Sequence, residues 1–311
     1  MLPNRVERAV GPPKTDRENT EPMSPDRNSP VEAVEEWRIA TLSLILLTVM
    51  FTVLIGSHIV ANSLLSIPWL LPEAEGALIG IPVALAVYLF VPRLVGIPRE
   101  ALFITVPSRS ILRWAGVAVV LVGAVTVGSV VGLSGTLEMH TSDGRFLSRV
   151  LLSAVLLGLL AAVTEELVFR GYPLSFIGHN WGWPAAIVLT SILFGLLHNG
   201  KVAGTGASEL YVLVATSAGL LYALVTYYTG SVWNAVVLHA VWNTVFHTQV
   251  ISIKPTETQP EQPIVSYEYT EAGLLFGGNW ATATVSPFVL LVLVVASATI
   301  LLGYRTNSIG E

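Results

Sequence analysis

The chain has 311 residues, of which 53% are hydrophobic and only 12% are charged, and its mean hydropathy is +0.68. A water-soluble domain of this composition would lack the polar atoms to cover its surface, so the composition indicates a membrane protein. The absence of cysteine excludes disulfides, a thiol nucleophile and thiolate metal sites, and the net charge of −5 argues against a nucleic-acid partner.

The first 38 residues differ from the rest of the chain. They hold 6 of the 16 Lys and Arg and 8 of the 21 Asp and Glu, together with six prolines. This composition predicts a disordered cytoplasmic tail over residues 1–38. The apolar run at 39–60 is too long for the core of a signal peptide, so it is predicted to be a retained membrane span.

Apolar runs long enough to cross about 30 Å of hydrocarbon predict an all-α polytopic membrane protein with about eight transmembrane helices. The helical domain is predicted over 39–304, followed by a short tail at 305–311. The predicted spans are 39–60, 77–95, 111–133, 146–169, 184–200, 210–229, 231–249 and 285–304.

The distribution of basic residues predicts the orientation. If the N-terminus is inside, twelve Lys and Arg fall in inside segments and four in outside ones, which supports cytoplasmic N- and C-termini. The loops 61–76 and 250–284 are then external. The sequence has no internal repeat of the kind that transporters carry.

Ionisable groups inside a membrane are costly, and they concentrate in three of the predicted spans. Span four carries the string TEELVFRGY, span five FGLLHN and span seven HAVWNTVFH. The other five spans are nearly free of ionisable groups. The histidines outside these three strings, and the one at the far end of span seven, are interpreted as loop or interfacial residues: His58, His140, His179 and His247.

The spacing within these strings suggests an active site. Glu166 and Arg170 are four residues apart on one helical face, whereas Glu165 points about 100° away and is free to react. His239 and Asn243 are also four apart. Together with His198, these groups could hold and deprotonate a water molecule, while the amide donates to an oxyanion.

Other protease chemistries fit the sequence less well. The three aspartates, at positions 16, 26 and 143, lie outside every predicted span, which excludes a two-aspartate intramembrane protease. Gly132–Gly135 spells GLSG, the GxSG of rhomboid proteases, but Ser134 closes a helix at its outer mouth, and no glycine pattern follows His239. A proton-coupled transporter and a non-catalytic partner-binding or immunity protein stay open as alternatives.

The three strings resemble the motifs of one known family. Glu165, Glu166 and Arg170 form EExxxR, Phe194 and His198 form FxxxH, and His239 and Asn243 form HxxxN. Their order and spacing are similar to those of the CPBP (Abi) family, the CAAX prenyl endopeptidases of type 2 and the bacteriocin-processing or immunity proteins. The resemblance covers about residues 147–250.

The resemblance implies an intramembrane endopeptidase. Glu165 would be the general base, His198 and His239 would position the water, and Asn243 would stabilise the oxyanion, with Glu166 and Arg170 as supports. Members of the family have been interpreted both as metalloproteases and as glutamate-type enzymes. If a divalent metal such as zinc is present, its candidate ligands are Glu165, His198 and His239, although no HExxH pattern occurs.

The resemblance implies a membrane-associated or lipid-modified peptide as substrate, with a CAAX-type C-terminus as one option, in contact with the lipid bilayer. We expect a lateral or cytoplasmic path to Glu165. The predicted spans place His198 deeper than Glu165 and His239. Either span five begins later than Trp183, with residues 179–182 re-entrant, or the site lies near the mid-plane and span four continues past Arg170.

Overall fold

The computed structural model describes residues 45, 48–49, 52, 55–57, 59–60, 63–94, 96–105, 107–140, 143–199, 208–248, 250–255, 263–276 and 284–309. The predicted tail over 1–38 lies outside these residues. The predicted span at 39–60 is described only at scattered positions from residue 45 onward, all of them helical.

Helices make up most of the described chain. Arg99–Leu102 and Leu274–Phe276 form short 3-10 helices, and a π-helical turn, Leu167–Gly171, joins α4 directly to α5. The α-helices are α1 (Pro72–Glu75), α2 (Ala77–Leu94), α3 (Ser110–Gly132), α4 (Gly144–Glu166), α5 (Tyr172–Trp181), α6 (Trp183–Leu196), α7 (Ser208–Thr229), α8 (Val232–Phe246) and α9 (Pro287–Ile309).

The helical membrane architecture predicted from the sequence is confirmed, but the count of eight spans is not reached among the described residues. The helices that replace the predicted spans 184–200 and 231–249 are α6 and α8, which are apolar but only 14 and 15 residues long. Within the described part of the chain, five helical segments are long and apolar enough to cross a membrane: Pro72–Phe90, Ser110–Gly132, Gly144–Trp181, Ser208–Thr229 and Pro287–Tyr304.

A small sheet at one end of the bundle was not predicted. Its strands are β1 (Ser134–Met139), β2 (Ile251–Pro255) and β3 (Val265–Glu271), in the order β1-β3-β2. The β1–β3 pair is antiparallel and the β2–β3 pair is parallel. The sheet lies where α3 and α8 end, and we call this the strand-bearing end of the molecule.

The helices that carry the three motifs pack closely through glycines. A Cβ atom on Gly158 of α4 would come within 2.8 Å of the Ala240 carbonyl oxygen on α8. A Cβ atom on Gly195 of α6 would come within 2.7 Å of the Val212 carbonyl oxygen on α7. Because backbone atoms cannot move aside cheaply, these small residues set the distance between the helices around the site.

The flanking helices α3 and α9 differ from these central helices. Only 22% of the most apolar window of α3 and 17% of that of α9 are buried, against 50% for α7. Their outward faces are apolar, as at Val131 and Leu302. In a chain of this hydropathy, such faces are suited to contact lipid, and the ionisable groups of the three motifs lie on or next to the central helices.

Candidate active site

The three motifs meet around one cavity. Glu165 from α4, His198 just after α6, and His239 and Asn243 from α8 all line a cavity of about 240 Å³. Glu166 and Arg170 are fully buried behind it. The structure therefore brings together all six residues that the sequence analysis singled out.

Arg170 lies in the π-helical turn and pairs with Glu166. Its Nη1 donates to Glu166 Oε1 at 3.2 Å, its Nε lies 3.2 Å from Glu166 Oε2, and its Nη2 donates to the Gly219 carbonyl oxygen at 3.0 Å. The guanidinium also lies 4.6 Å from the centre of the Phe194 ring, a cation–π contact. A buried charge needs such partners, so Glu166 is held as a carboxylate by Arg170.

Glu166 in turn orients His239. Its Oε1 lies 2.8 Å from His239 Nδ1, and because a carboxylate can only accept, Nδ1 carries the hydrogen. Asn243 Nδ2 lies 3.0 Å from His239 Nε2, which accepts from the amide. Arg170, Glu166, His239 and Asn243 thus form a continuous hydrogen-bonded series that we call the buried polar chain.

His198 is held in a similar way by its own motif. Its Nδ1 donates to the carbonyl oxygen of Phe194 at 2.7 Å, because a carbonyl can only accept. In the neutral ring, Nε2 is then an acceptor. Phe194 therefore contacts both histidines. Its carbonyl oxygen accepts from His198, and its ring centre lies 5.9 Å from that of His239.

Glu165 contrasts with its neighbour. Its side chain is 17% exposed, and its Oε2 is a buried oxygen with no hydrogen-bond partner among the described residues. The same oxygen lies 3.9 Å from Nε2 of His198 and 3.9 Å from Nε2 of His239. These separations exceed a direct hydrogen bond, and a water molecule beside the carboxylate and an imidazole could bond to both.

Helix α7 contributes residues to the site that were not predicted from the sequence. The prediction rested on ionisable groups, and the predicted span at 210–229 was interpreted as inert. The Tyr222 ring stacks on the His239 ring, with centroids 4.7 Å apart and planes at 18°. Gly219 supplies the carbonyl for Arg170, and a Cβ atom there would lie 3.2 Å from Arg170 Nη2. The sequence features that could have indicated these residues are a small residue, Gly219, and an aromatic residue, Tyr222, in an apolar span.

Of the described residues, those considered in the sequence but not assigned to the site lie outside the cavity, with the exception of His247. Ser134 begins β1 opposite Glu271, outside the cavity, and His140 lies beside Ser266 of the sheet. His179 packs on Trp183 at the opposite end of α5. His247 lines the cavity just past the end of α8, and His58 falls outside the described residues.

The described side chains around Glu165 do not form a metal site. No group of three or more His, Asp or Glu side chains in the described part of the chain is arranged to hold a metal ion. A histidine binds a metal ion through a ring nitrogen lone pair, and the Nε2 lone pair of His239 already accepts a hydrogen bond from Asn243. The side chains as placed do not fit the zinc set of Glu165, His198 and His239, and we derive no step through a metal.

The structure answers the question of depth that the predicted spans raised. The helical segment containing Glu165 runs from Gly144 to Trp181, well past Arg170, before Gly182 turns the chain at φ +90°. The predicted boundary at residue 169 is therefore wrong. Glu165 lies in the interior of a 38-residue segment, and α6 returns antiparallel to bring His198 to the same level.

One comparison with known proteins matches the region of the chain that carries this site. Residues 147–245, about a third of the chain, match the family described as type II CAAX prenyl endopeptidase Rce1-like. No curated protein matches the chain significantly, and no solved structure does. The match spans all three motifs and confirms the resemblance inferred from them. The apolar helices and the family match together show an integral membrane protein. At the level of the family, its region 147–245 is that of a CAAX-type intramembrane protease.

Proposed function

We propose that this chain is a membrane-embedded endopeptidase in which Glu165 activates a water molecule to hydrolyse a peptide bond. The observation that carries the proposal is the difference between two adjacent glutamates. Glu166 is fully buried and ion-paired with Arg170, whereas Glu165 lines a cavity with three histidines and its Oε2 has no hydrogen-bond partner among the described residues. Such an oxygen suits proton abstraction in a way that a paired one does not.

The attacking water would lie between Glu165 and His198. Neutral His198 offers Nε2 as an acceptor, and Glu165 Oε2 is a second acceptor 3.9 Å away. One water has two hydrogens and satisfies both acceptors. Its oxygen then directs a lone pair at the substrate carbonyl, and Glu165 takes the proton as the carbon–oxygen bond forms.

Asn243 would stabilise the oxyanion that results. One hydrogen of its amide is donated to His239 Nε2, and the side chain lines the cavity, so the second hydrogen is available to the substrate. In this proposal His239 orients the amide through the buried polar chain rather than contacting the water. Glu165 then passes its proton to the departing amine, which breaks the carbon–nitrogen bond.

The substrate we propose is a membrane-associated or lipid-modified peptide, with a prenylated CAAX peptide as the first candidate. The cavity contains residues near the ends of α7 and α8, Tyr211 and Thr248, so it extends from Glu165 toward the strand-bearing end. If the termini are cytoplasmic, the strand-bearing end faces the outside of the cell. In the inverse orientation that end faces the cytoplasm, and a cytoplasmic substrate can reach the cavity. Because the chain has no cysteine, membrane-impermeant labelling of Lys254→Cys in intact cells distinguishes the two orientations.

The experiment that tests the proposal is cleavage of a quenched fluorescent peptide library, including prenylated CAAX peptides, by the purified protein in detergent. Glu165→Gln keeps the shape and should lower the rate by about 10³-fold, since general base catalysis is worth about 10²–10⁴. Glu209→Gln, a change at the start of α7, is the matched control and should retain full activity.

Two results would contradict the proposal. Full activity in folded Glu165→Gln would remove the role of that carboxylate. No cleavage by folded wild type would favour a non-catalytic immunity or partner-binding protein, or a transporter. Metal content, measured on the same samples before and after chelation, tests the metalloprotease alternative, because activity that depends on bound zinc would replace the mechanism above.

A further inference from the structure

A second and larger cavity opens next to the candidate active site. Its volume is about 490 Å³, within the range of known ligand pockets, and it lies at the strand-bearing end. It lies between α4, which contributes Val150 and Ala154, and strand β2. Five residues line both cavities, so the larger leads into the smaller: Leu157, Tyr211, His247, Thr248 and Thr284.

Strand β2 presents a backbone edge to this larger cavity. In the parallel pair with β3, Ile251 is opposite Val265, and Val265 N donates to the Val250 carbonyl. Because alternate residues of a strand bond to the same neighbour, the even-numbered residues of β2 pair with β3, and Ile251 and Ile253 direct their N–H and C=O groups outward. Among the described residues, β2 is an edge strand of the sheet, and no further strand pairs with its outward side.

We propose that β2 binds an extended segment of the substrate polypeptide as a fourth strand, which leads the scissile bond into the cavity of Glu165. This inference rests on the proposed function and names how that site holds its substrate. Addition of a strand to a free sheet edge is a recurrent mode of peptide recognition, because an edge strand offers ready-made donors and acceptors.

The surroundings indicate the chemistry of the segment. The charged residues lining the larger cavity are Glu73 and Lys254, one of each sign, and the α4 wall consists of Val150, Ala154 and Leu157. An uncharged segment with apolar side chains on alternate positions fits these walls, since successive side chains of a strand point to opposite faces. The backbone pairing itself places little restriction on sequence.

The position of β2 is suited to this task. His247, which lines both cavities, follows Asn243 by one helical turn, about 6 Å along the axis. A strand advances about 3.3 Å per residue, so a few residues of an extended peptide cover the distance from the mouth to the oxyanion donor. A strand is also the conformation in which a peptide carbonyl is most open to attack by water.

The test uses a fluorescein-labelled peptide of about ten Ala, Val and Thr residues and a series of variants, each methylated at one backbone nitrogen. Binding is measured on Glu165→Gln and cleavage on wild type. Loss of one backbone hydrogen bond should weaken binding about tenfold at every second residue, and the residues between should change by less than about twofold. A flat profile would overturn the proposal.

Two protein variants provide a matched pair. Ile251→Pro removes an outward N–H from β2, and Leu137→Pro removes one from β1, the other edge of the sheet, which lines neither cavity. Ile251→Pro should raise the Kd about tenfold, and Leu137→Pro should leave it unchanged. Equal effects of the two changes in folded protein would overturn the proposal, and if Ile251→Pro fails to fold, the methylation profile decides.

The outcomes separate this inference from the proposed function. Cleavage with a flat methylation profile contradicts strand pairing and leaves the peptidase intact. Alternating binding without cleavage by wild type contradicts the peptidase and leaves the pairing intact. A dimer that dissociates on Ile251→Pro, with no peptide effect, would show that β2 pairs with a second copy of the chain and would overturn the proposal.

Discussion

The buried polar chain and the cavity-facing pair of Glu165 and His198 use the same kinds of side chain in opposite ways. In the buried chain, Glu166 and Arg170 are fully buried and every link is a hydrogen bond of 2.8 to 3.2 Å. In the cavity-facing pair, the carboxylate and imidazole are 3.9 Å apart and keep 17% and 11% of their side chains exposed. The buried polar chain is held by hydrogen bonds throughout, whereas the cavity-facing pair keeps one carboxylate oxygen, Glu165 Oε2, without a hydrogen-bond partner among the described residues.

The contrast explains why two adjacent glutamates have different tasks. Residues next to each other on a helix point about 100° apart, so Glu166 faces Arg170 while Glu165 faces the cavity. The π-helical turn at Leu167–Gly171 follows immediately, and such turns occur often at functional sites. The site therefore combines an oriented donor, Asn243, with a carboxylate oxygen, Glu165 Oε2, that has no hydrogen-bond partner within the described part of the chain.

The largest expected effect comes from breaking the buried polar chain. Glu166→Gln leaves Arg170 buried without a counter-ion and should cost about 3–5 kcal/mol of unfolding free energy. The amide also replaces two acceptor oxygens by one oxygen and one NH₂ group, so it cannot accept from both Arg170 and His239 as the carboxylate does, and kcat should fall by at least about 10²-fold. Denaturation in mixed micelles and peptide cleavage measure the two effects.

Glu75→Gln is the matched control for this change. Glu75 is also buried, but its Oε1 accepts a single backbone hydrogen bond from Ile67 N, which an amide oxygen can also accept. It should cost no more than about 1 kcal/mol. Adding Arg170→Met to Glu166→Gln should restore part of the stability without the activity. Equal stability of Glu166→Gln and wild type would contradict the assignment of the buried polar chain.

A smaller effect is expected where the buried polar chain meets the cavity. Asn243→Ala should lower kcat by about 10²–10³-fold through loss of the oxyanion donor, with KM changed by less than about twofold. Asn234→Ala, on the same helix, is the control, because Asn234 is buried but bonds Ser110 outside the cavity. A proportional rise in KM in Asn243→Ala would indicate a substrate-binding role instead.

The smallest effect is expected at Ser134, which belongs to neither region. It is exposed at the start of β1, so Ser134→Ala should leave both the melting temperature and the cleavage rate unchanged. A loss of activity would revive the serine mechanism that the GLSG string suggests. Cleavage assays on Ser134→Ala and Glu165→Gln side by side compare the two chemistries directly.

The sequence by itself determined the membrane character and the local pairs of the site. Glu166 with Arg170, and His239 with Asn243, are four residues apart, and a helix places such residues together whatever surrounds it. The absence of cysteine and the positions of the aspartates likewise excluded whole reaction classes without any structure. The helical membrane architecture followed from the apolar runs, because only helices satisfy their backbone within such segments.

Only the tertiary structure decided the contacts between distant parts of the chain. Glu166 and His239 are 73 residues apart, and they meet because Gly158 lets α4 and α8 approach closely. The stacking of Tyr222 on His239 and the β1-β3-β2 sheet likewise could not be predicted from local patterns. Stacking, strand pairing and cavity shape depend on which surfaces pack together, and no periodicity within a single segment encodes that choice.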